Sequence, residues 1–278
     1  IALCLFAVGL LLANLLGAAG RQVLVLERKF APSEQSQAIG IVPPSLSILR
    51  RIGLADTFIP QGLAIRRAEV HGDGSVLGQV HFHGIPSPFP YILSLPQSKT
   101  ERILEGSLSR YPQVTLRRGW EVFGLREYRN KRQVMARQQD SHQVSLFESR
   151  YLCGCDGAHS TIRRLLGLRR KTVSYPETFL MADYEDHSGL GPAAHLFFTR
   201  FGSVESFPLP GGLRRWIIQT DGLSPDPDPA YHAREVLQRT GHALDPEDAV
   251  WESAFRPERS ESLTLVAGSA ALCGDAAH

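Results

Sequence analysis

Residues 151–167 read Tyr-Leu-Cys-Gly-Cys-Asp-Gly-Ala-His-Ser-Thr-Ile-Arg-Arg-Leu-Leu-Gly, and this stretch indicates the fold more clearly than any other. The run 151–155 predicts a buried strand, Asp156-Gly157 a turn, and Ser160 an N-cap for a following helix. A buried carboxylate needs hydrogen-bond donors, so we expect backbone amides or Arg163 to bind Asp156. The sequence therefore predicts a strand, a tight polar turn and a helix in immediate succession.

The start of the chain predicts a similar unit. A strand is expected to begin at residues 1–3, a helix to run over 8–19, and a second strand to cover 23–26. The helix is almost entirely apolar, as it must be when buried against a parallel sheet. Glu27 ends the second strand, where dinucleotide-binding units have an acid that accepts a hydrogen bond from a ribose hydroxyl.

The loop between this first strand and helix departs from the usual pattern. Three glycines normally make the tight turn, admit the pyrophosphate and allow close helix packing. Only the third is present, as Gly9, while Cys4 and Phe6 occupy the other two places. We therefore expect Phe6 to obstruct phosphate binding unless its side chain turns away.

Residues 1–19 allow a second interpretation, since Asn14 is their only polar side chain and the run is long enough to span a membrane or act as a leader. No basic segment precedes the run, and it leads directly into the strand at 23–26. A buried helix is therefore favoured over a signal or an anchor, and no membrane association is predicted.

Composition narrows the functional classes. A chain of 278 residues with 43% hydrophobic content can bury a full core, as one large domain or two intertwined smaller ones. Its 30 basic and 28 acidic residues are scattered and give a net charge of +2, so no nucleic-acid partner is predicted. Four cysteines without Cys-x-x-Cys spacing suit buried thiols in a reducing, cytoplasmic compartment: Cys4, Cys153, Cys155 and Cys273.

Four motifs, in order along the chain, resemble the FAD-dependent aromatic hydroxylases and their relatives, the single-component flavoprotein monooxygenases. They are Val23 to Arg28, then Leu95-Pro96-Gln97 with Glu101 and Leu104, then the Asp156-Gly157 stretch, and finally Leu272 to His278. The resemblance covers nearly the whole chain. It implies an α/β fold, namely a Rossmann-like FAD-binding domain with a parallel sheet and helices, and an inserted antiparallel β-rich substrate domain.

The resemblance also implies the cofactor contacts, to an FAD that is tightly but non-covalently bound. Glu27 would hold the adenosine ribose, Asp156-Gly157 would approach the pyrophosphate and NAD(P)H, and Gln97 and Asp275 would reach the ribitol chain. Gln37 stands where relatives usually have an arginine near the phosphates. The candidate cofactor-binding residues are Gly9, Glu27, Arg28, Gln37, Gln97, Asp156, Gly157, Gly274 and Asp275.

The predicted division assigns 1–63, 92–172 and 263–278 to the FAD-binding domain, and 64–91 and 173–262 to the substrate domain. Alternation and Gly-Pro turns in the latter segments favour an antiparallel sheet. His81 and His83 share one strand face without a third ligand, a pattern more typical of surface positions, so no metal site is predicted. Candidates for substrate contact are Tyr91, Phe197, Phe207, Pro208 and Trp216.

Such an enzyme would use NAD(P)H to reduce FAD and O2 to form a flavin C4a-hydroperoxide, which hydroxylates a small aromatic substrate, phenolic or polyketide-like. The cofactor carries this chemistry while the protein positions the reactants. No catalytic base is identified in the sequence. Oligomeric state and the choice between NADH and NADPH are left open.

Two alternatives stay open. Relatives continue past the last motif with a glycine-rich loop and a helix, and this chain begins with Ile and ends at His278, so we expect a fragment that lacks both ends. A non-catalytic remnant of a hydroxylase would explain Cys4, Phe6 and Gln37. A halogenase or a reductase of the same fold would share the FAD motifs.

Overall fold

The chain folds into two compact units in a computed structural model that describes residues 2–4, 7–32, 38–72, 74–222 and 228–278, with residues 2–4 described as backbone only. The first unit comprises Ile1–Gln35, Ser98–Val173 and Arg259–His278, and the second comprises Ser36–Gln97 and Ser174–Glu258. Both units are discontinuous in sequence, as expected when one is inserted into the other.

The two units differ from the predicted domains at several boundaries, and residues 173 and 259–262, expected in the substrate domain, belong to the first unit. Residues 36–63 and 92–97, expected in the FAD-binding domain, belong to the second unit. The reason is strand pairing, because Gly40–Ile41 and Leu63–Ile65 both pair antiparallel with Ile92–Ser94. This short sheet binds all three segments to one another.

A six-stranded sheet forms the centre of the first unit. Its neighbouring strands are parallel except Val266–Ala267 and Ala270–Leu272, which pair antiparallel at one edge. The helix Ala7–Ala18 connects two of the parallel strands, as the apolar run at the start of the chain predicts. From one edge to the other, the strands are Val266–Ala267, Ala270–Leu272, Leu152–Gly154, Ala2–Cys4, Val23–Glu27 and Val114–Arg118. The predicted parallel sheet with helices is thereby confirmed.

The helix Ala7–Ala18 buries its one polar side chain, Asn14, completely. The Asn14 Nδ2 donates to the carbonyl oxygens of Leu10 and Leu104, each at 2.9 Å, and Oδ1 accepts from Ser107 Oγ at 2.6 Å. A buried amide with its partners satisfied costs little to keep in a core. None of the helices in the described part of the chain is long and apolar enough to cross a membrane.

The first unit also contains a three-stranded antiparallel sheet of Trp120–Tyr128, Lys131–Gln138 and Val144–Ser149. Its inner face shares one core with the parallel sheet, including Trp120, Val134, Leu152, Ile162 and Leu272. Burying each such large apolar side chain contributes about 1.5–3 kcal/mol. This core therefore stabilises the parallel sheet whose strands lead into the turns at Asp156 and Asp275.

The second unit is built on a seven-stranded sheet. Every neighbouring pair is antiparallel except Arg67–Gly72 with Ala194–Thr199, which is parallel. In spatial order, the strands are Ala249–Phe255, Thr178–Glu185, Leu213–Thr220, Gly202–Leu209, Ala194–Thr199, Arg67–Gly72 and Ser75–His81. This sheet confirms the predicted antiparallel, β-rich insertion.

One face of that sheet is covered by the helix Pro229–Thr240. Asp228 caps its start by accepting from the Ala230 amide at 2.9 Å, and Gly241 ends it in the left-handed conformation at φ 80°. Val236 of this helix joins a core with Phe197 and Trp216. The helix therefore closes one side of the second unit.

Shorter elements complete the two units. A two-stranded sheet pairs Arg170–Ser174 with Glu258–Ser262, the segments in which the chain passes between the units. The remaining α-helices are Pro43–Arg51, Ala55–Phe58, Gln97–Gly106 and Thr161–Leu165. Short 3-10 turns occur at Ile59–Gln61, Phe82–Gly84, Ser107–Arg110, Pro246–Asp248 and Gly274–Ala276.

Candidate functional site

Three of the predicted motifs emerge at the same edge of the parallel sheet. Cys4 is aligned with Leu26 on one side and with Gly154 on the other, and Gly154 is aligned with Leu272. Parallel strands end at a common edge, which is where open α/β sheets bind ligands. The residues that end or follow these strands are Glu27, Asp156, Gly157, Gly274 and Asp275.

Glu27 is a buried carboxyl group at the end of its strand, with only 7% of its surface exposed. Its Oε1 accepts a hydrogen bond from the Lys29 amide at 2.7 Å. Burial raises the pKa of Glu27, and the Lys29 amide and the nearby Arg118 oppose that rise. A carboxylate can accept several hydrogen bonds, so Glu27 retains capacity for a hydroxyl donor. Arg28, the next residue, is exposed.

The Asp156-Gly157 turn is held by its own helix. Asp156 Oδ2 accepts from the Ile162 amide at 3.0 Å, and Oδ1 accepts from Ser160 Oγ. Ser160 also caps the helix, as predicted, by accepting from the Arg163 amide at 2.9 Å. Gly157 has φ 80°, a conformation that favours glycine. The turn is thereby fixed in shape with a carboxylate at its centre.

Arg163 links this turn to the last motif. The guanidinium donates to the Ala276 carbonyl at 3.0 Å and to the Ala158 carbonyl at 2.7 Å, and the residue is 7% exposed. Burial, followed by the charge of Arg170, lowers the pKa of Arg163. From the sequence, Arg163 is predicted only as a partner of Asp156. The sequence feature that could have indicated a buried Arg163 is its place directly after Ile162, an apolar residue of the predicted helix. Ile162 is fully buried in the structure.

Gly274 brings the last motif against the first helix. Its φ is 59°, and a Cβ at this position would lie 2.9 Å from Val8 Cγ2. Val8 and the buried Gly9 lie in the first turn of the helix Ala7–Ala18, whose free amides favour an anion. Asp275 is exposed beside this turn. The structure thus brings the last motif next to the helix start.

Three cysteine thiols lie in or directly after the strands that lead into these turns. Cys273 is hydrogen-bonded to Cys153 and to Cys155, and these contacts, that of Cys153 first, lower the pKa of Cys273 while the pKa of Cys153 is raised. The backbone repeats the connection, because the Cys273 amide donates to the Gly154 carbonyl at 2.9 Å. The thiols join the two strands that carry Asp156 and Asp275.

Gln97 belongs to the second unit, at the start of its helix. The backbone amide of Gln97 donates to the Ala38 carbonyl at 3.0 Å, and the backbone amide of Ala38 donates to the side-chain Oε1 of Gln97 at 3.3 Å. Gln97 therefore anchors the segment that directly follows Gln37. Gln37 and Phe6 lie outside the described residues, as does the side chain of Cys4, so the expectations for them stay predictions.

Two of the candidates for substrate contact are corrected by the structure. Phe197 and Trp216 are 6% and 1% exposed and stack on each other at 6.2 Å in the core shared with Val236, which leaves them no surface to offer. Phe207 packs in a separate cluster around Ile65. Tyr91 and Pro208 are also buried.

The chain was compared with known proteins. A family model described as FAD binding domain matches residues 7–278. The chain is 29% identical over 279 residues to 6-methylpretetramide 4-monooxygenase of Streptomyces rimosus, covering 98% of this chain and 49% of the relative. It is 28% identical over 280 residues to 3-(3-hydroxy-phenyl)propionate/3-hydroxycinnamic acid hydroxylase of Burkholderia cenocepacia (strain HI2424), covering 97% and 50%.

Among solved structures, p-nitrophenol 4-monooxygenase PnpA from Pseudomonas putida DLL-E4 superimposes with a TM-score of 0.88 at 22% identity. The match covers all of this chain (100%) and 72% of that protein. This likeness shows the fold. The chain spans about half the length of the curated relatives it matches, at 49% and 50%.

Proposed function

Because the chain belongs to the FAD-binding domain family, we propose that its first unit binds FAD tightly and non-covalently. The observation that carries this proposal is the convergence of Glu27, Asp156-Gly157 and Gly274-Asp275 at the carboxyl edge of the parallel sheet. A buried acid at a strand end, next to a helix start, suits the ribose and pyrophosphate of a dinucleotide.

Each candidate residue has a role in this proposal. Glu27 accepts a hydrogen bond from the adenosine ribose, and Arg28 lies beside it. The first turn of the helix Ala7–Ala18 with Gly9, together with Asp156-Gly157, faces the pyrophosphate. Asp275 binds the ribitol chain, and Gly274 lets the last turn approach. The contacts of Gln97 with the ribitol chain and of Gln37 with the phosphates stay predictions from the sequence. Arg163 is a positioning residue, because it fixes two of these turns through their carbonyls.

We further propose that the protein is an FAD-dependent monooxygenase that uses NAD(P)H and O2 to hydroxylate an aromatic, phenolic or polyketide-like compound. Both curated relatives carry the name of a monooxygenase or hydroxylase, which supports this reaction class. The reaction consumes the substrate, O2, NAD(P)H and a proton, and yields the hydroxylated product, water and NAD(P)+. FAD supplies the redox chemistry, while the chain binds, orients and excludes water.

We infer that the second unit selects the substrate. One face of its seven-stranded sheet packs against the helix Pro229–Thr240, and on the opposite face Ala68 and Ala194 pack with Ile65. Arg215 and Asp183 lie on that opposite face, because they alternate with Arg214 and Tyr184 along their strands. Their bidentate pair, at 2.6 and 2.8 Å, supplies buried polarity there.

The cofactor proposal is tested by adding FAD to the chain and following quenching of flavin fluorescence. We expect saturable binding that Glu27→Gln weakens about tenfold or more, since a hydrogen bond to a charged group contributes about 1.5–3 kcal/mol. Arg21→Gln, which changes an exposed charge on the same connection, is the control. Absence of saturable binding to the unaltered chain contradicts the proposal.

The reaction is tested with NAD(P)H, a panel of phenols and oxygen gas labelled with oxygen-18. One labelled oxygen atom is expected in the product by mass spectrometry, together with substrate-dependent consumption of NAD(P)H. Label found only in water or hydrogen peroxide, from an FAD-loaded protein, argues against the monooxygenase and leaves the cofactor proposal standing.

A further inference from the structure

Three potential metal ligands meet within the second unit, and none of them is a predicted cofactor-binding residue. They are Glu69, His71 and His195, and their ligand atoms all lie within 4.8 Å of one another. His195 is 3% exposed, while Glu69 and His71 are half-buried. No sequence motif signals this cluster, because His195 is 124 residues from His71 in the sequence.

The sheet sets the positions of these three residues. Glu69 and His71 are two residues apart on the strand Arg67–Gly72, so their side chains point to the same face. His195 lies on the parallel strand Ala194–Thr199, directly opposite Glu69 in the register. Two hydrogen-bonded strands therefore hold the cluster, rather than flexible loops.

The distances lie close to those of a metal site. His71 Nε2 is 2.9 Å from His195 Nδ1, and Glu69 Oε2 is 3.9 Å from the same Nδ1. Zinc ligands at about 2.0–2.2 Å in a tetrahedron are separated from one another by about 3.4 Å. Each observed distance differs from that separation by about half an ångström, a change within reach of side-chain torsions.

The other ring nitrogen of His195, Nε2, already has a hydrogen-bond partner. His195 Nε2 lies 3.2 Å from the Leu190 carbonyl oxygen, to which it donates. That bond leaves Nδ1 without a proton and facing Glu69 and His71. Metal-bound histidines characteristically donate their other N–H to a carbonyl or carboxylate in this way.

The surrounding charges allow a cation. Glu69 Oε1 accepts from Gln79 at 3.3 Å and faces Arg67 at 3.3 Å, so Oε2 is the oxygen turned to the histidines. The buried Arg214, whose charge acts on His195, forms an ion pair with Asp186 at 2.8 Å. The cluster thus contains a carboxylate and two imidazoles beside an arginine that is already paired.

We propose that Glu69 Oε2, His71 Nε2 and His195 Nδ1 bind a divalent cation of the zinc class, with water as the fourth ligand. The cation replaces the hydrogen bond between the two histidines and clamps the edge hairpin of Arg67–Gly72 and Ser75–His81 to the strand Ala194–Thr199. This function lies outside the FAD chemistry and does not depend on it.

The test begins with the full chain, stripped with a chelator and titrated with Zn2+ in a calorimeter. We expect one high-affinity equivalent per chain, and a loss of affinity of about tenfold or more in Glu69→Gln and His71→Gln, since even outer ligand partners are worth about 10–100-fold. The matched control is the double variant His81→Gln with His83→Gln, which alters an exposed histidine pair of the same hairpin region. The control should bind as the unaltered chain does.

X-ray absorption at the zinc edge identifies the ligands without relying on variants that might fold poorly. Two imidazole nitrogens at about 2.0–2.1 Å are expected, whereas a sulfur shell at about 2.3 Å would assign the metal to the thiols of Cys153, Cys155 and Cys273. Such a sulfur shell, or binding unchanged in Glu69→Gln and His71→Gln, overturns the proposal. Absence of any tight zinc equivalent overturns it equally.

Discussion

At the scale of the residue, burial shifts the pKa values of two ionisable side chains of the first unit, and the two side chains have different roles. Glu27 is buried with a raised pKa, and only its Lys29 contact and nearby cations keep the charged form accessible. Arg163 is buried with a lowered pKa, and its guanidinium donates hydrogen bonds to the carbonyls of Ala158 and Ala276. The first residue is positioned to receive a ligand, while the second holds two turns together.

The raised pKa of Glu27 predicts a pH dependence of stability. A carboxyl whose folded pKa lies above its ordinary 4.5 binds more protons in the folded state, so its contribution is greatest below 4.5 and is lost as pH rises through the folded pKa. Glu27→Gln removes this loss. Urea unfolding from acidic to neutral pH should therefore show the variant gaining stability relative to the unaltered chain, while it loses FAD affinity at neutral pH.

A constant difference in unfolding free energy between the two proteins across that range would show that Glu27 does not titrate as described. Equal FAD affinity would separately remove its role at the ribose.

Arg163→Met should destabilise the chain by about 2–3 kcal/mol, because two carbonyls lose a charged donor. Arg164→Met is the matched control, since the Arg164 side chain is exposed and its guanidinium donates to the hydroxyl of Thr161 at 2.9 Å. This change is expected to stay within about 0.5 kcal/mol. FAD binding should weaken in the first variant and not in the second. Similar denaturation midpoints for the two variants would argue against the bridging role.

At the scale of the element, the first helix is held by contacts in its first turn and in its middle. Val8 in its first turn lies against Gly274, and Asn14 on its buried side is bonded to Leu104 and Ser107. One contact packs the helix start against the last motif, and the other fixes the helix to the helix Gln97–Gly106 and the turn after it. The orientation of the helix start therefore depends on both.

Gly274→Ala should cost more stability than Gly20→Ala. Both glycines have positive φ, at 59° and 70°, so both variants carry about 1–2 kcal/mol of backbone strain. Only the Gly274 variant adds a Cβ 2.9 Å from Val8 Cγ2, whereas nothing lies within 4 Å at Gly20. Thermal unfolding should show this difference, and Val8→Ala should recover part of it. No recovery by Val8→Ala would count against the collision.

A double-mutant cycle of Asn14→Ala and Ser107→Ala measures the buried contact within the first unit. The two substitutions should be less costly together than the sum of the singles, with a coupling of about 1 kcal/mol, because the residues share the hydrogen bond at 2.6 Å. Additive unfolding free energies would mean that the side chains contribute independently.

At the scale of the whole molecule, two compact units with separate cores carry the two proposed ligands. Trp120 lies in the core of the first unit, while Trp216 and Trp251 belong to the second. Each unit thus contains its own tryptophan reporter. A ligand that binds one unit stabilises it according to its concentration relative to the dissociation constant, by about 2.7 kcal/mol at a hundredfold excess.

We expect FAD to raise the unfolding temperature of the first unit more than that of the second. Trp120 reports the first unit in a variant with Trp216→Phe and Trp251→Phe, and Trp216 and Trp251 report the second unit in a Trp120→Phe variant. Zinc should do the reverse. Tryptophan fluorescence during thermal unfolding provides the measurement. Equal shifts of both reporters by both ligands would show that the units unfold as a single cooperative body and would contradict this prediction.

The sequence predicted the features that are encoded locally. The apolar run before Gly20, the strand ending at Glu27, the N-cap at Ser160 and the turn after Leu272 were each visible over a few residues. The parallel sheet followed, because such a succession has few ways to bury its apolar faces. Local propensity and a motif pattern were therefore sufficient for the fold of the first unit.

The chain by itself determined which residues end strands, begin helices and form turns, because those preferences act between neighbours and over periods of two or 3.6 residues. Only the tertiary structure decided that Arg163 joins Ala276, that Phe197 and Trp216 face a helix, and that Glu69 meets His195. These contacts depend on the register between distant strands and on which face is covered. Register is fixed when the whole core packs, since a slip of one residue would turn every side chain to the other face.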